Sequence, residues 1–300
     1  MPDSHSRVDV GRAAAARRAR LPVGLALLHG LGLPSPACAQ VYLGLDAALT
    51  SPYVWRGVTR ANGWVVQPEC FMSVRASDGF LSGGAWASDE LRRASPGDLS
   101  DLGPGQRGLA ELDYWGQASW SLGLMQAALG AIRYTFRGTG PTAARTPVDN
   151  TTELYMDVRA ISKYVVPGVA LWLDVDRVGG AYIEGSATVP LLANPLAAPF
   201  IALITHAALG YTLGQEVNIR DPAQGAYFAR AGVTHVDLAV SGDLTLHPLG
   251  VPTVLRIEAH TQFSADPATR PTTADPSDAR RSVKPWAALA LRLSPTIVSW

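Results

Sequence analysis

The sequence predicts an all-β protein: a transmembrane, antiparallel, up-and-down β-barrel of about twelve strands. Three observations carry that expectation. Residues 41–293 read as one strand after another. The joints between strands alternate in length. Short ones fall at Ser77-Asp78-Gly79, Ser121-Leu122-Gly123, residues 165–167, Asn194-Pro195 and Leu249-Gly250-Val251, and long polar ones over residues 51–64, 89–107, 138–150, 214–225 and 266–283. Within the strands, apolar and polar side chains alternate. Tight turns at one rim and long loops at the other are the layout of an outer-membrane barrel.

The chain divides into an export signal, residues 1–39, and a barrel, residues 40–300. Arg7, Arg12, Arg17, Arg18 and Arg20 form a basic segment, and residues 21–33 form a short apolar one. Ala37-Cys38-Ala39 follows as a small-x-small cleavage site, so the mature chain is expected to begin at Gln40. The apolar segment is too short to span a bilayer as a helix. Removing residues 1–39 leaves 20 basic and 23 acidic side chains, because five Arg and two Asp leave with them. Cys70 is then the one remaining cysteine, which excludes an intrachain disulfide. The formal net charge of zero offers no basic stripe for nucleic acid.

Strands are expected over residues 41–50, 65–77, 80–88, 109–122, 124–137, 151–163, 166–176, 181–192, 200–213, 232–247, 254–264 and 284–293. Alternation is clearest in residues 151–163. There Glu153, Tyr155, Asp157, Arg159 and Lys163 share one parity, and Leu154, Met156, Val158 and Ala160 the other. Residues 254–264 repeat it, with Arg256, Glu258, His260 and Gln262 opposite Leu255, Ile257, Ala259 and Phe263. Residues 187–213 are apolar enough to suggest a membrane helix, but Pro190, Pro195 and Pro199 would break it. Two strands with prolines near their ends fit better. An even strand count puts both termini at the short-turn, periplasmic rim.

A soluble periplasmic β-sandwich or lipocalin-like barrel also alternates. Its polar parity would face water and carry many Lys and Glu, whereas lysine occurs here only at Lys163 and Lys284. Aromatic residues near predicted strand ends, among them Tyr42, Trp55, Trp64, Trp86, Trp115, Trp120, Trp172, Tyr182, Tyr211, Tyr227 and Trp286, are expected to form belts at the membrane interfaces.

Tyr53-Val54-Trp55-Arg56-Gly57-Val58-Thr59, continuing through Asn62-Gly63 to Gln67-Pro68, resembles a signature of the TorF family of proteobacterial porin-like proteins. Asn150-Thr151-Thr152-Glu153-Leu154-Tyr155 is similar to that family's Asn-x-Thr-Glu-Leu-Tyr block. Ile132-Arg133-Tyr134-Thr135-Phe136 resembles the aromatic strand before it. The likeness covers most of residues 41–293, with specific motifs in these three places. It implies an outer-membrane barrel of porin-like function with no defined substrate. The chain departs from the pattern in residues 188–204, which are more apolar and proline-rich, and in Ile297-Val298-Ser299-Trp300 beyond the last strand. Trp300 can be read as the terminal aromatic seen by the barrel-assembly machinery. The favoured alternative ends the last strand at Leu293 and leaves the tail extra.

If the polar parity lines a bore, the pore-lining candidates are Arg56, Glu111, Asp113, Arg133, Glu153, Asp157, Arg159, Asp237, Arg256 and Glu258. With Asp46, Glu69, Asp174, Asp176, Glu184 and Asp243 added to the acids, and Arg75, Arg137, Lys163 and Arg292 to the bases, the bore is acid-biased and weakly cation-preferring. The same charges could instead pair across the lumen and close it. Arg56 reads as a rim anchor for the first long loop, or as a guanidinium over the pore mouth, stacked on an aromatic or paired with an acid. No enzymatic activity is expected. His235 and Ser241 share a parity but lie roughly 20 Å apart along a strand, beyond hydrogen-bond reach. His206, His235, His247 and His260 lack metal-ligand spacing, so no metal or other cofactor is expected. The expected role is a porin-like channel for passive diffusion of small hydrophilic solutes or ions, with membrane lipid and the assembly machinery as partners. A closed structural or assembly-partner barrel without transport is the first alternative, and a barrel hydrolase with a site assembled across strands is the remote second.

Overall fold

The computed structural model describes residues 40–76, 79–93, 99–102, 105–137, 150–193, 200–216, 227–246, 253–269, 283–293 and 297–299. The export signal, its cleavage site, Asn194-Pro195 and Trp300 lie outside these residues. No helix among the described residues is long and apolar enough to cross a membrane.

Fifteen strands are described: β1 (Gln40–Ser51), β2 (Tyr53–Trp55), β3 (Val58–Ala61), β4 (Val65–Ala76), β5 (Gly79–Glu90), β6 (Gly108–Leu122), β7 (Met125–Tyr134), β8 (Thr151–Ala160), β9 (Val166–Asp174), β10 (Ala181–Ala193), β11 (Phe200–Leu213), β12 (Gly232–Leu246), β13 (Thr253–Ser264), β14 (Val283–Leu293) and β15 (Ile297–Ser299). β1 and β4 to β14 make the wall, each antiparallel to its neighbours in chain order. β14 pairs with β1 from Leu45↔Leu293 to Ser51↔Ala287, which closes the ring. Closure satisfies every edge, as a wall in lipid requires. The described wall therefore holds the expected twelve strands.

The direction of the side chains identifies the solvent. On β8, Thr151 and Glu153 are buried while Leu154 is 47% and Met156 39% exposed. On β13, Gln262 and His260 are buried and Ile257 is 62% exposed. Leu45, Met72, Leu81, Leu129, Val169, Leu209 and Val240 all face out in the same way. In water such a shell would be one continuous apolar patch; in a bilayer it is the favourable surface. A soluble barrel would invert this parity. The molecule is a transmembrane barrel.

Proline marks the irregularities. Pro68 faces Ala47 on β1, but the β4–β5 ladder lapses between Val66↔Asp89 and Glu69↔Trp86. A residue without an N–H cannot serve both neighbours. Pro190 sits at a register shift against β11, beyond the last β9 pair at Thr188. Strand 8 ends at Ala160, so Lys163 lies past it. The tail also departs from the favoured expectation: Ile297–Ser299 pairs with Gln40–Tyr42, extending the line of β14 along β1. Three steps on β1, from Leu45 to Tyr42, are matched by four on the other side, from Leu293 to Ile297, so one residue is extra.

The strand ends flanking residues 77–78 and the 123–124 turn share one rim, whereas the strand ends that flank residues 52–64, 91–107, 135–150, 214–231 and 265–282 lie at the opposite one. Residues 175–180 are the short exception there. The first of the long connections folds inward, with consequences for the whole bore.

Candidate functional site

Residues 52–64 hold a hairpin, β2 and β3, turned by Arg56 at φ 47° and Gly57 at φ 80°. Two positive φ values are what a two-residue turn of matching twist demands. Gly57 meets the demand freely. A Cβ there would also press on the His235 ring.

Tyr53, Trp55, Val58 and Ala61 of the hairpin are buried and pack with Trp86, Trp115, Ile132, Tyr134, Val178, Tyr182, Tyr227 and Phe228. Its polar contacts reach around the ring. Tyr53 Oη donates to Glu111 on β6 at 3.0 Å. Arg56 donates to both carboxylate oxygens of Glu153 on β8, at 2.7 and 2.6 Å. The Arg56 guanidinium lies 4.6 Å from the Trp55 ring, 4.8 Å from Trp172 on β9 and 4.7 Å from Tyr182 on β10. Gln262 on β13 donates to the Gly57 carbonyl at 2.9 Å. A segment rooted between β1 and β4 that touches β6, β8, β9, β10, β12 and β13 crosses the lumen near the long-loop rim. A second latch lies behind it. Arg60 bonds Asp101 of the next loop at 3.1 Å and lies 4.4 Å over the Phe136 ring, and the Asn62 N–H donates to the Leu99 carbonyl.

Burial alone would lower the pKa of Arg56, but Glu153 outweighs it and holds the guanidinium charged, above its ordinary value. Arg60 is raised in the same way against burial by Asp101. Burial, then the charge of Glu111, pushes the Tyr53 hydroxyl well up.

Towards the short-turn rim the charges pair along the wall instead. Arg159 bonds Asp157 two residues away at 2.9 and 3.0 Å. Arg256 bonds Asp243, directly opposite on β12, at 2.6 and 2.8 Å and reaches Glu258 at 3.5 Å. Nearer the long-loop rim, His260 Nδ1 meets Asp237 at 2.8 Å. The Arg256 and Asp243 side chains stay 21% and 15% exposed, against 6% and 0% for Arg56 and Glu153. The ion pair near the short-turn rim is thus more open to solvent than the one at the hairpin.

Glu111, Asp113, Glu153, Asp157, Arg159, Asp237, Arg256 and Glu258 lie on the inward parity, and Arg56 stands inside the ring on the hairpin. Arg133 does not line the bore. On β7 the buried parity is Ala128, Ile132 and Tyr134. Arg133 therefore points outward, bonding Thr152 at 2.8 Å and Asp176 at 2.6 Å with its side chain 42% exposed. The aromatic run 132–136 inverts the polar-in rule because this stretch faces the hairpin. For the same reason Trp55, Trp86, Trp115, Tyr182 and Tyr227 are not an interfacial belt but an interior cluster. Tyr42 also faces in, whereas Trp64, Trp120 and Tyr211 remain exposed. Lys163 lies beyond its strand and Arg137 is exposed past β7. Arg60, Asp101 and the Trp172–Tyr182 pair were not anticipated as site residues. The apolar Tyr53, Val54, Trp55 and Val58 inside a supposedly polar loop were their available signal.

Residues 36–234, well over half of the chain, match the family model described as a bacterial protein of unknown function, Gcw_chp. The chain belongs to the Gcw_chp family. The span matched in this Gcw_chp protein takes in the hairpin, Glu153, Trp172 and Tyr182, and ends as β12 begins. No curated protein matches the chain. Two solved structures are similar at low identity. One, from work on in-meso crystallization of membrane proteins, is 8% identical, covers 84% of this chain and 83% of its own, and has a TM-score of 0.43. The β-domain of the Bordetella autotransporter Brka is 13% identical, covers 85% and 99%, and has a TM-score of 0.33.

Proposed function

We propose that this Gcw_chp protein is a porin-like channel of a Gram-negative outer membrane, closed at its outer mouth in this conformation by the β2–β3 hairpin. It passes small hydrophilic solutes or ions by passive diffusion, with a weak preference for cations, once the hairpin moves. The observation that carries this proposal is the contrast between the two ends of the bore. The ion pairs described near the short-turn rim join residues two apart or on adjacent strands, while at the long-loop end a hairpin on a connection bonds to β6, β8 and β13 across the ring. The cation preference draws support from the inward parity of the described strands. Among the side chains described on that parity the bases are Arg75, Arg159 and Arg256, facing many more acids. The TorF-like motifs at Tyr53–Thr59 and Asn150–Tyr155 fit the same role. Export by the cleaved N-terminal signal, insertion by the assembly machinery and lipid as the surrounding solvent belong to this proposal. It involves no catalytic turnover and no cofactor.

Planar-bilayer recording tests it. The intact protein is expected to open rarely, in small steps, and a variant with residues 53–61 replaced by a short Gly-Ser link to open in larger, lasting ones. Silence from both at high protein load would remove the channel role and leave a closed structural barrel.

A further inference from the structure

Arg56 is held as a ligand is held. Its two hydrogen bonds to Glu153, at 2.7 and 2.6 Å, use both carboxylate oxygens, and the Trp55, Trp172 and Tyr182 rings surround the guanidinium at 4.6 to 4.8 Å. The carboxylate and two of the rings belong to the wall, on β8, β9 and β10. The cation belongs to a hairpin whose roots lie elsewhere in the ring. The receiving side also has contacts of its own within the wall. Tyr134 donates to Glu153 at 2.8 Å and fixes it, the Glu153 side chain is fully buried, and Trp172 packs on Tyr182 with ring centroids 5.6 Å apart. A fork matched to a carboxylate, together with flat faces, selects a planar guanidinium over a round ammonium.

We propose that Glu153, Trp172 and Tyr182 form a guanidinium-recognition site in the bore, filled by the chain's own Arg56 when the hairpin is in and by guanidinium-bearing solutes when it is out. The proposal rests on the gated channel only for the route by which a solute arrives; the site itself is tested by binding. With the hairpin in, an incoming cation competes with a tethered one, so the same contacts close the bore and set which cation opens it.

The test titrates the detergent-folded Arg56→Ala protein with methylguanidinium chloride, using its tryptophans as reporters, with sodium and methylammonium chloride as controls. A saturable fluorescence change and a raised thermal midpoint are expected. They should be about tenfold weaker with methylammonium, at least about tenfold weaker in the unaltered protein, where Arg56 competes, and abolished when Glu153→Gln is added. Arg56→Gln provides a second background should the alanine variant not fold. The proposal is overturned by no saturable response in a folded background, by a response equalled by methylammonium or by the unaltered protein, or by one that survives Glu153→Gln. Because conductance is not read, a barrel silent in bilayers would end the channel role without touching this result.

Discussion

Arg56 carries more of the interior than any other residue, because it is at once a turn residue, an ion-pair partner and the filling of an aromatic cage. Arg56→Ala leaves Glu153 buried without its cation, with Tyr134 still donating to it. Breaking one side of a buried pair costs about 3–5 kcal/mol, which urea unfolding in micelles would register as a lower midpoint. Arg56→Lys keeps the charge and loses the fork, so its midpoint should fall between those of the alanine variant and the parent. Gly57→Ala tests the turn separately. A Cβ at φ 80° is strained and meets His235, and the expected loss is at least about 1–2 kcal/mol by the same measurement.

Among elements, the wall strands and the hairpin answer to different solvents. A wall strand pairs its backbone on both sides and shows apolar side chains to lipid. Met156→Arg, near the middle of β8, should therefore cost about 2–4 kcal/mol of folding into vesicles. Asp157→Asn, one residue on and facing in, weakens only the pair with Arg159 and should cost less than Met156→Arg by the same measurement. The hairpin pairs only with itself, as a separate two-stranded sheet, and owes its position to the rings and acids around it. Its excision should leave the ring intact, seen as unchanged heat-modifiable migration on a gel. Twelve strands were legible from alternation and turn spacing because the lipid-facing parity is local information. The hairpin was legible only as an excess of apolar residues, Tyr53, Val54, Trp55 and Val58, in a loop; what they pack against is not local information.

At the scale of the whole molecule, closure by β14 on β1 turns twelve marginal strands into one unit without edges, and the interior divides into an outer half crossed by the hairpin and an inner half whose ion pairs run along the wall. If ions cross, the acid excess of the inner wall should set the reversal potential. In a salt gradient across a bilayer, the hairpin-less variant should reverse on the cation-selective side. Asp243→Asn with Glu258→Gln should move the potential towards zero. A reversal on the anion side would count against the acidic bore.

By itself the sequence determined the alternation of each strand, the turn chemistry, the strand count and which rim bears the long loops. These depend on residues one, two or a dozen positions apart, and a pleated strand in lipid leaves them little freedom. Tertiary structure alone decided that Arg56 meets Glu153, 97 residues away, that the aromatic strand ends face a plug rather than a membrane interface, and that Arg133 points outward. Such pairings join strands distant in the chain. Their partners are chosen by the space and charge left inside the closed ring, which no local stretch of residues specifies.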